Sequence, residues 1–94
     1  MTTEQIQSHI KQILIADLEL DAALVESADE MTPLLGRGIG LDSIEALRLA
    51  MGIENAFEIS VPDKDLTVEL FASLKALTDY VAQKLATREM AQIS

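Results

Sequence analysis

With 94 residues and no cysteine, the chain has room for one modest core and cannot build a disulfide framework or a thiolate metal site. Sixteen acids against seven bases give a formal charge of −9, a field that repels phosphate backbones and anionic lipids and favours basic protein partners. Nearly half of the residues are apolar, yet only Phe57, Phe71 and Tyr80 are aromatic, so the core has to be filled by Ile, Leu, Val, Ala and Met. The apolar runs are far too short to span a bilayer, and the first residues lack a signal-peptide layout. A single cytoplasmic domain over residues 1–94 is expected, with a core at about 3–86 and a frayed tail over 87–94.

Thr2 with Gln5 three places on matches a capping box, which starts a helix near Thr3. Ile6, Ile10, Ile13 and Leu14 recur at helical spacing behind it. His9, the one histidine, falls at the edge of that stripe and reads as a helix-surface residue rather than a catalytic one. From Asp17 to Met31 the pattern loosens. Six acids (Asp17, Glu19, Asp21, Glu26, Asp29, Glu30) stand there without a base, while Leu18, Leu20, Leu24 and Val25 tie the segment to a core. The acids are out of register for a calcium loop, so a solvated acidic loop with one short turn at 22–26 is expected. Pro33 breaks the chain, Leu34-Leu35 anchors it again, and Gly36-Arg37-Gly38-Ile39-Gly40 reads as a mobile hinge. It lacks the Lys-Ser/Thr pair of a P-loop and the preceding strand of a Rossmann loop.

At Asp42 a second capping box opens the next helix, with Asp42 at the N-cap and Glu45 at N3. Ser43 is then the first helical residue, and its hydroxyl is left without a capping duty. A helix start also favours a phosphate group, through free N–H groups and the macrodipole. Rotation by about 100° per residue separates two faces along this helix. Ala46, Leu49, Ala50, Ile53 and Phe57 fall on a core face. Ile44, Leu47 and Met51 fall opposite, among Arg48, Glu54, Asn55 and Glu58, and such an apolar patch with a polar rim reads as an interaction surface. Gly52 costs the helix about 1 kcal/mol against Ala, and close approach of another segment would account for it. Beyond Phe57, Glu58-Ile59-Ser60-Val61-Pro62 reads as an extended connector. Thr67 is expected to cap a short helix carrying Leu70 and Phe71, and Ser73 a last helix that buries Leu74, Leu77, Val81 and Leu85. The predicted fold is all-α: a small antiparallel four-helix bundle of three main helices and one short one, with a long loop between the first two main helices.

Catalysis by Ser43 would need a base and an oxyanion hole. One histidine, no Gly-x-Ser-x-Gly elbow and scattered acids supply neither these nor a metal cluster, so no enzyme is expected. A serine at a helix start beside an apolar face suits a residue modified by, and presented to, other proteins.

Gly40-Leu41-Asp42-Ser43-Ile44 resembles the carrier-protein signature G-x-D-S-[LI]. Pro33-Leu34-Leu35 upstream, and Phe57 through Val61-Pro62 and Phe71-Ala72-Ser73-Leu74 downstream, extend the likeness from Ile6 to about Leu85. The family is the acyl carrier proteins of fatty acid and polyketide synthesis, with related peptidyl carrier domains. The resemblance implies that a phosphopantetheinyl transferase attaches 4′-phosphopantetheine to Ser43 and that the terminal thiol of the arm carries acyl groups as thioesters. It implies that Asp42 aids transferase recognition. It assigns Ile44, Leu47, Arg48, Met51 and Glu54 to a surface for ketosynthase, acyltransferase or acyl-ligase type enzymes, and implies a core that opens between the second and third helices to shelter the acyl chain. The expected protein is a stand-alone monomer that binds no nucleic acid and inserts into no membrane. Arg48 stands where many fatty-acid carriers have an acid, Asn55 is uncharged, the loop after Leu20 is longer, and residues 36–40 are richer in glycine; these departures point to a specialised pathway as readily as to the housekeeping one. A peptidyl or aminoacyl carrier, and a helical interaction module without an arm, are the alternative readings.

Overall fold

Residues 1–93 are described by the computed structural model, with side chains through Arg88. Helix α1, Thr3–Ala16, begins at the expected capping box: the Gln5 N–H donates to Thr2 Oγ1 at 3.1 Å, and the Thr2 N–H to Gln5 Oε1 at 2.8 Å. Its stripe of Ile6, Ile10, Ile13 and Leu14 is buried. Asp17 closes the helix, and Glu19 reverses the chain in a left-handed conformation at φ 57°.

The acidic segment beyond it contains helix α2, Ala22–Ser27, capped by Asp21, which accepts the Ala23 N–H at 3.0 Å. Val25 enters the core. A base does answer this segment, but it comes from α1. Lys11 Nζ donates to the Ala28 carbonyl at 2.7 Å, supplying a cation at the end of α2 where carbonyls lack partners.

Helix α3, Ser43–Phe57, ends as Glu58 turns left-handed at φ 53°. Both faces are as the periodicity predicts. Ala46, Leu49, Ala50, Ile53 and Phe57 are buried, and Ile44, Leu47 and Met51 are exposed. Gly52 marks the crossing of α1 and α3, where a Cβ would come within 2.8 Å of Ile13 Cγ2 and 3.0 Å of Asp17 Oδ2. The His9 ring is tilted against Phe57 with centroids 5.5 Å apart, a surface contact in keeping with its expected role.

The connector, residues 58–73, departs from expectation. It opens into a 3-10 turn at Asp63–Asp65, and the short helix expected over Leu70 and Phe71 is instead a run of tight turns. Leu70, Phe71 and Ala72 each donate to the carbonyl three residues back, and Thr67 Oγ1 accepts the Leu70 N–H at 3.3 Å. Tertiary bonds outcompete the α-helical pattern here: the Phe71 carbonyl accepts from Leu34, and the Leu74 N–H donates to Thr32. The short helix of the bundle is therefore α2.

Helix α4, Leu74–Ile93, is capped by Ser73, whose Oγ accepts the Ala76 N–H at 3.0 Å. It continues past Thr87, where the apolar pattern fades, and Arg88 binds the Phe57 carbonyl at 2.9 Å. Ser94, the end of the expected tail, lies outside the described residues. Helix α1 packs against α2, α3 and α4, so the first helix is the centre of the bundle. The core is aliphatic apart from Phe57 and Phe71. Its buried polar residue, Thr78, donates to the Leu74 carbonyl at 2.8 Å, which leaves no orphaned buried side-chain atom among the described residues.

Candidate functional site

Everything around Ser43 depends on how the chain enters α3. The Glu45 N–H donates to Asp42 Oδ1 at 2.7 Å, and the Asp42 N–H donates to Glu45 Oε1 at 3.2 Å. The capping box thus satisfies the N–H groups of Asp42 and Glu45. The exposed hydroxyl of Ser43 has no hydrogen-bond partner among the described residues.

The glycine run ahead of it is a closed loop rather than the expected hinge. The Leu41 N–H donates to the Leu34 carbonyl at 2.9 Å, the Gly36 N–H to Leu41 at 3.3 Å, and the Ile39 N–H to Pro33 at 3.0 Å. Leu34, Ile39 and Leu41 are buried and pin the loop from inside. Its glycines serve backbone shape. Gly38 lies at φ 78°, and a Cβ there would collide with the Pro33 carbonyl.

A groove of about 260 Å³ runs beside the serine. Ser43, Ala46 and Leu47 form one wall, Leu66, Thr67, Val68 and Phe71 of the connector the other, and Leu35 closes it. A larger cleft of about 450 Å³ lies between the connector and α4, with Lys64, Asp65, Glu69 and Asp79 among its lining. No α3 residue reaches that cleft, so the smaller, more apolar groove is the one joined to the serine.

On the outer face of α3, Ile44 is 69 %, Leu47 50 % and Met51 62 % exposed, an apolar strip that begins at the serine. Val68, 71 % exposed across the groove, extends it. Helical periodicity does not single out Val68 or Leu35; the polar flanks Thr67 and Glu69 are the local hint that Val68 faces outward. Two residues assigned to the outer face have partners within the chain. Arg48 Nη2 donates to the Asp17 carbonyl at 3.1 Å, at the end of α1, and Glu54 Oε2 accepts the Val61 N–H at 2.9 Å.

In the larger cleft, Tyr80 Oη of α4 donates to Asp65 Oδ2 at 2.6 Å. Burial first, then the Asp65 carboxylate, push the tyrosine pKa well above its ordinary value of about 10. Among the described residues there is no group of acids and histidine able to hold a metal ion, and no helix long and apolar enough to cross a membrane.

A family model described as phosphopantetheine attachment site matches residues 8–81. The chain is similar to an acyl carrier protein of Chlorobium phaeobacteroides, 24 % identical over 84 residues that cover 89 % of this chain and 100 % of that one. An acyl carrier protein of Guillardia theta is 28 % identical over 86 residues, 92 % of this chain and 99 % of its own. An aminoacyl carrier protein of Agrobacterium fabrum is 44 % identical over a shorter stretch of 52 residues, 55 % of this chain and 63 % of its own.

Proposed function

The chain belongs to the phosphopantetheine-attachment family of carrier proteins, and we propose that within it the chain is an acyl carrier whose 4′-phosphopantetheine arm is joined to the Ser43 hydroxyl. The observation that carries this reading is the free, exposed hydroxyl on the first residue of α3, beside an apolar groove. These residues fit the group: a phosphodiester at that oxygen would meet the positive end of α3, a contact worth roughly 0.3–1 kcal/mol, and the groove offers cover for the rest of the arm. When bound, the group supplies a thiol that holds acyl units as thioesters.

The chain's own part is presentation. Asp42 and Glu45 hold the first turn formed, so that the serine is offered at a fixed point to a phosphopantetheinyl transferase. Ile44, Leu47 and Met51, flanked by Arg48 and Glu54, form the face on which the transferase and later ketosynthase, acyltransferase or acyl-ligase type enzymes dock. In this reading the catalytic groups belong to those enzymes. Their pathway, fatty-acid or polyketide in type, is set by which of them dock.

Incubation with coenzyme A and a broad-specificity transferase, followed by intact-mass measurement, tests the assignment. The expected result is one arm per chain and none on Ser43→Ala; an arm that persists on that variant overturns it. The higher identity to the aminoacyl carrier, though over fewer residues, favours one second reading, that the cargo is an amino acid. Loading the modified chain with malonyl against aminoacyl groups decides between the two.

A further inference from the structure

One wall of the groove beside Ser43 is a regular helix; the other is the connector, which is held by the burial of Val61, Leu70 and Phe71 and by few hydrogen bonds to other elements. At its start the Val61 N–H is bound by Glu54, and at its end the Phe71 carbonyl accepts from Leu34. Between these points, the side-chain tie to another element is at Asp65, held by Tyr80 Oη at 2.6 Å. Lys84 Nζ stands 3.9 Å from the same carboxylate and 5.6 Å from the Tyr80 ring centre. Leu66, next in the chain to Asp65, is groove wall, and Val68 is its exposed lip. Helices α3 and α4 make no extensive contact among the described residues, and in the connector between them Leu66 is only partly buried and Val68 is exposed.

We propose that the Tyr80–Asp65 contact sets the width of the groove and thereby the length of acyl group it accepts. The inference rests on the reading of Ser43 as the arm's attachment point. With the contact closed, the groove's 260 Å³ exceeds the roughly 150 Å³ apolar cavity that holds the six carbons of a benzene ring but falls short of about twice that volume, so a six-carbon chain fits and a twelve-carbon chain does not. A longer chain needs Leu66 and Val68 to move away from Ala46 and Leu47. That movement carries Asp65 off Tyr80 and breaks a short, charge-assisted hydrogen bond, one of the stronger kinds. The bond therefore favours the closed groove by about tenfold. Tyr80 acts as a positioning residue, since it touches the wall and not the cargo.

The test compares wild type, Tyr80→Phe, Asp65→Ala and Asp65→Asn, the last retaining an acceptor for the Tyr80 hydroxyl. Amide exchange in the unmodified chains comes first: Leu66, whose N–H is bound to the Asp63 carbonyl, should exchange about tenfold faster in Tyr80→Phe and Asp65→Ala, and at the wild-type rate in Asp65→Asn. The transferase-modified chains are then loaded with hexanoyl or dodecanoyl groups, and thioester cleavage by hydroxylamine is timed. Wild type and Asp65→Asn should protect hexanoyl alone; Tyr80→Phe and Asp65→Ala should protect dodecanoyl as well, by severalfold. An unchanged chain-length profile in Tyr80→Phe and Asp65→Ala, or exchange at Leu66 at the wild-type rate in both, overturns the proposal. Accelerated exchange together with a failure to accept the arm supports the latch and removes the Ser43 reading instead. Should Tyr80→Phe fold poorly, Asp65→Ala against Asp65→Asn decides alone.

Discussion

Replacing Gly36 and Gly38 by alanine, one at a time, separates two costs that the loop ahead of Ser43 imposes. Gly36 lies at φ 60° with nothing near its missing Cβ, so Gly36→Ala meets only the left-handed backbone, about 1–2 kcal/mol. Gly38 lies at φ 78°, and its Cβ would also strike the Pro33 carbonyl and come within 3.0 Å of Thr32 Cγ2. A backbone oxygen cannot swing aside as a side-chain tip can. Relief means moving the Pro33–Ile39 hydrogen bond, which adds a steric cost of roughly 1–3 kcal/mol. Gly38→Ala is therefore expected to lose about 2–5 kcal/mol, out of the roughly 5–15 kcal/mol usual for a domain. Urea unfolding monitored by circular dichroism gives both values, and each kcal/mol lowers Tm by about 4–8 °C in a chain of this size. At a temperature where both variants are folded, only Gly38→Ala should slow modification of Ser43. Equal losses for the two variants would refute the reasoning, because they would show that the loop relaxes around Pro33 at no cost.

Met51→Glu is expected to leave Tm within the range of a surface change, about 0.5 kcal/mol, while weakening a partner measured by calorimetry; unfolding would instead mean that the strip is core. Glu54→Ala should cost about 1 kcal/mol by freeing the Val61 N–H, whereas Glu54→Gln, which keeps an acceptor, should be nearly neutral in the same urea titration. Alkaline stability should carry the mark of Tyr80, which faces Asp65, Lys84 and Glu54. Its raised pKa gives stability that is fully present below about pH 10, where the unfolded chain also keeps the phenolic proton. Above that pH only the unfolded chain releases it, so stability falls as pH rises. The gap in Tm between wild type and Tyr80→Phe should close above about pH 10 and stay constant below it.

The features legible in the chain are those that short-range physics fixes. The capping box at Asp42 and Glu45 is a matter of three residues, and the two faces of α3 come from helical rotation, so Ser43 and its apolar strip are readable in advance. The acidic segment looks baseless because its base, Lys11, lies 17 residues away from Ala28. Arg48 looks like a free cation because its acceptor at Asp17 is 31 residues distant. The turns at 67–72 pass for helix because bonds from Leu34 and to Thr32 decide their shape. The glycine run gives the number of flexible positions but not their use, which is to admit three left-handed φ angles in a loop pinned by Ile39 and Leu41.

Helix α4 meets the loop ahead of Ser43 at its own first turn: the Leu74 N–H donates to Thr32, and the Lys75 N–H to Glu30 at 2.7 Å. On the ribosome this makes the proposed attachment site at Ser43 a late event. The stretch of chain bearing the serine emerges well before Leu74, yet one side of its entry loop has nothing to lean on until the last helix appears. A nascent carrier interrupted before that point would expose Ser43 on an unsupported loop, without α4 packed against α1. Completion of synthesis is thereby a condition for offering the serine in its finished geometry, and a transferase that reads that geometry would pass over unfinished chains.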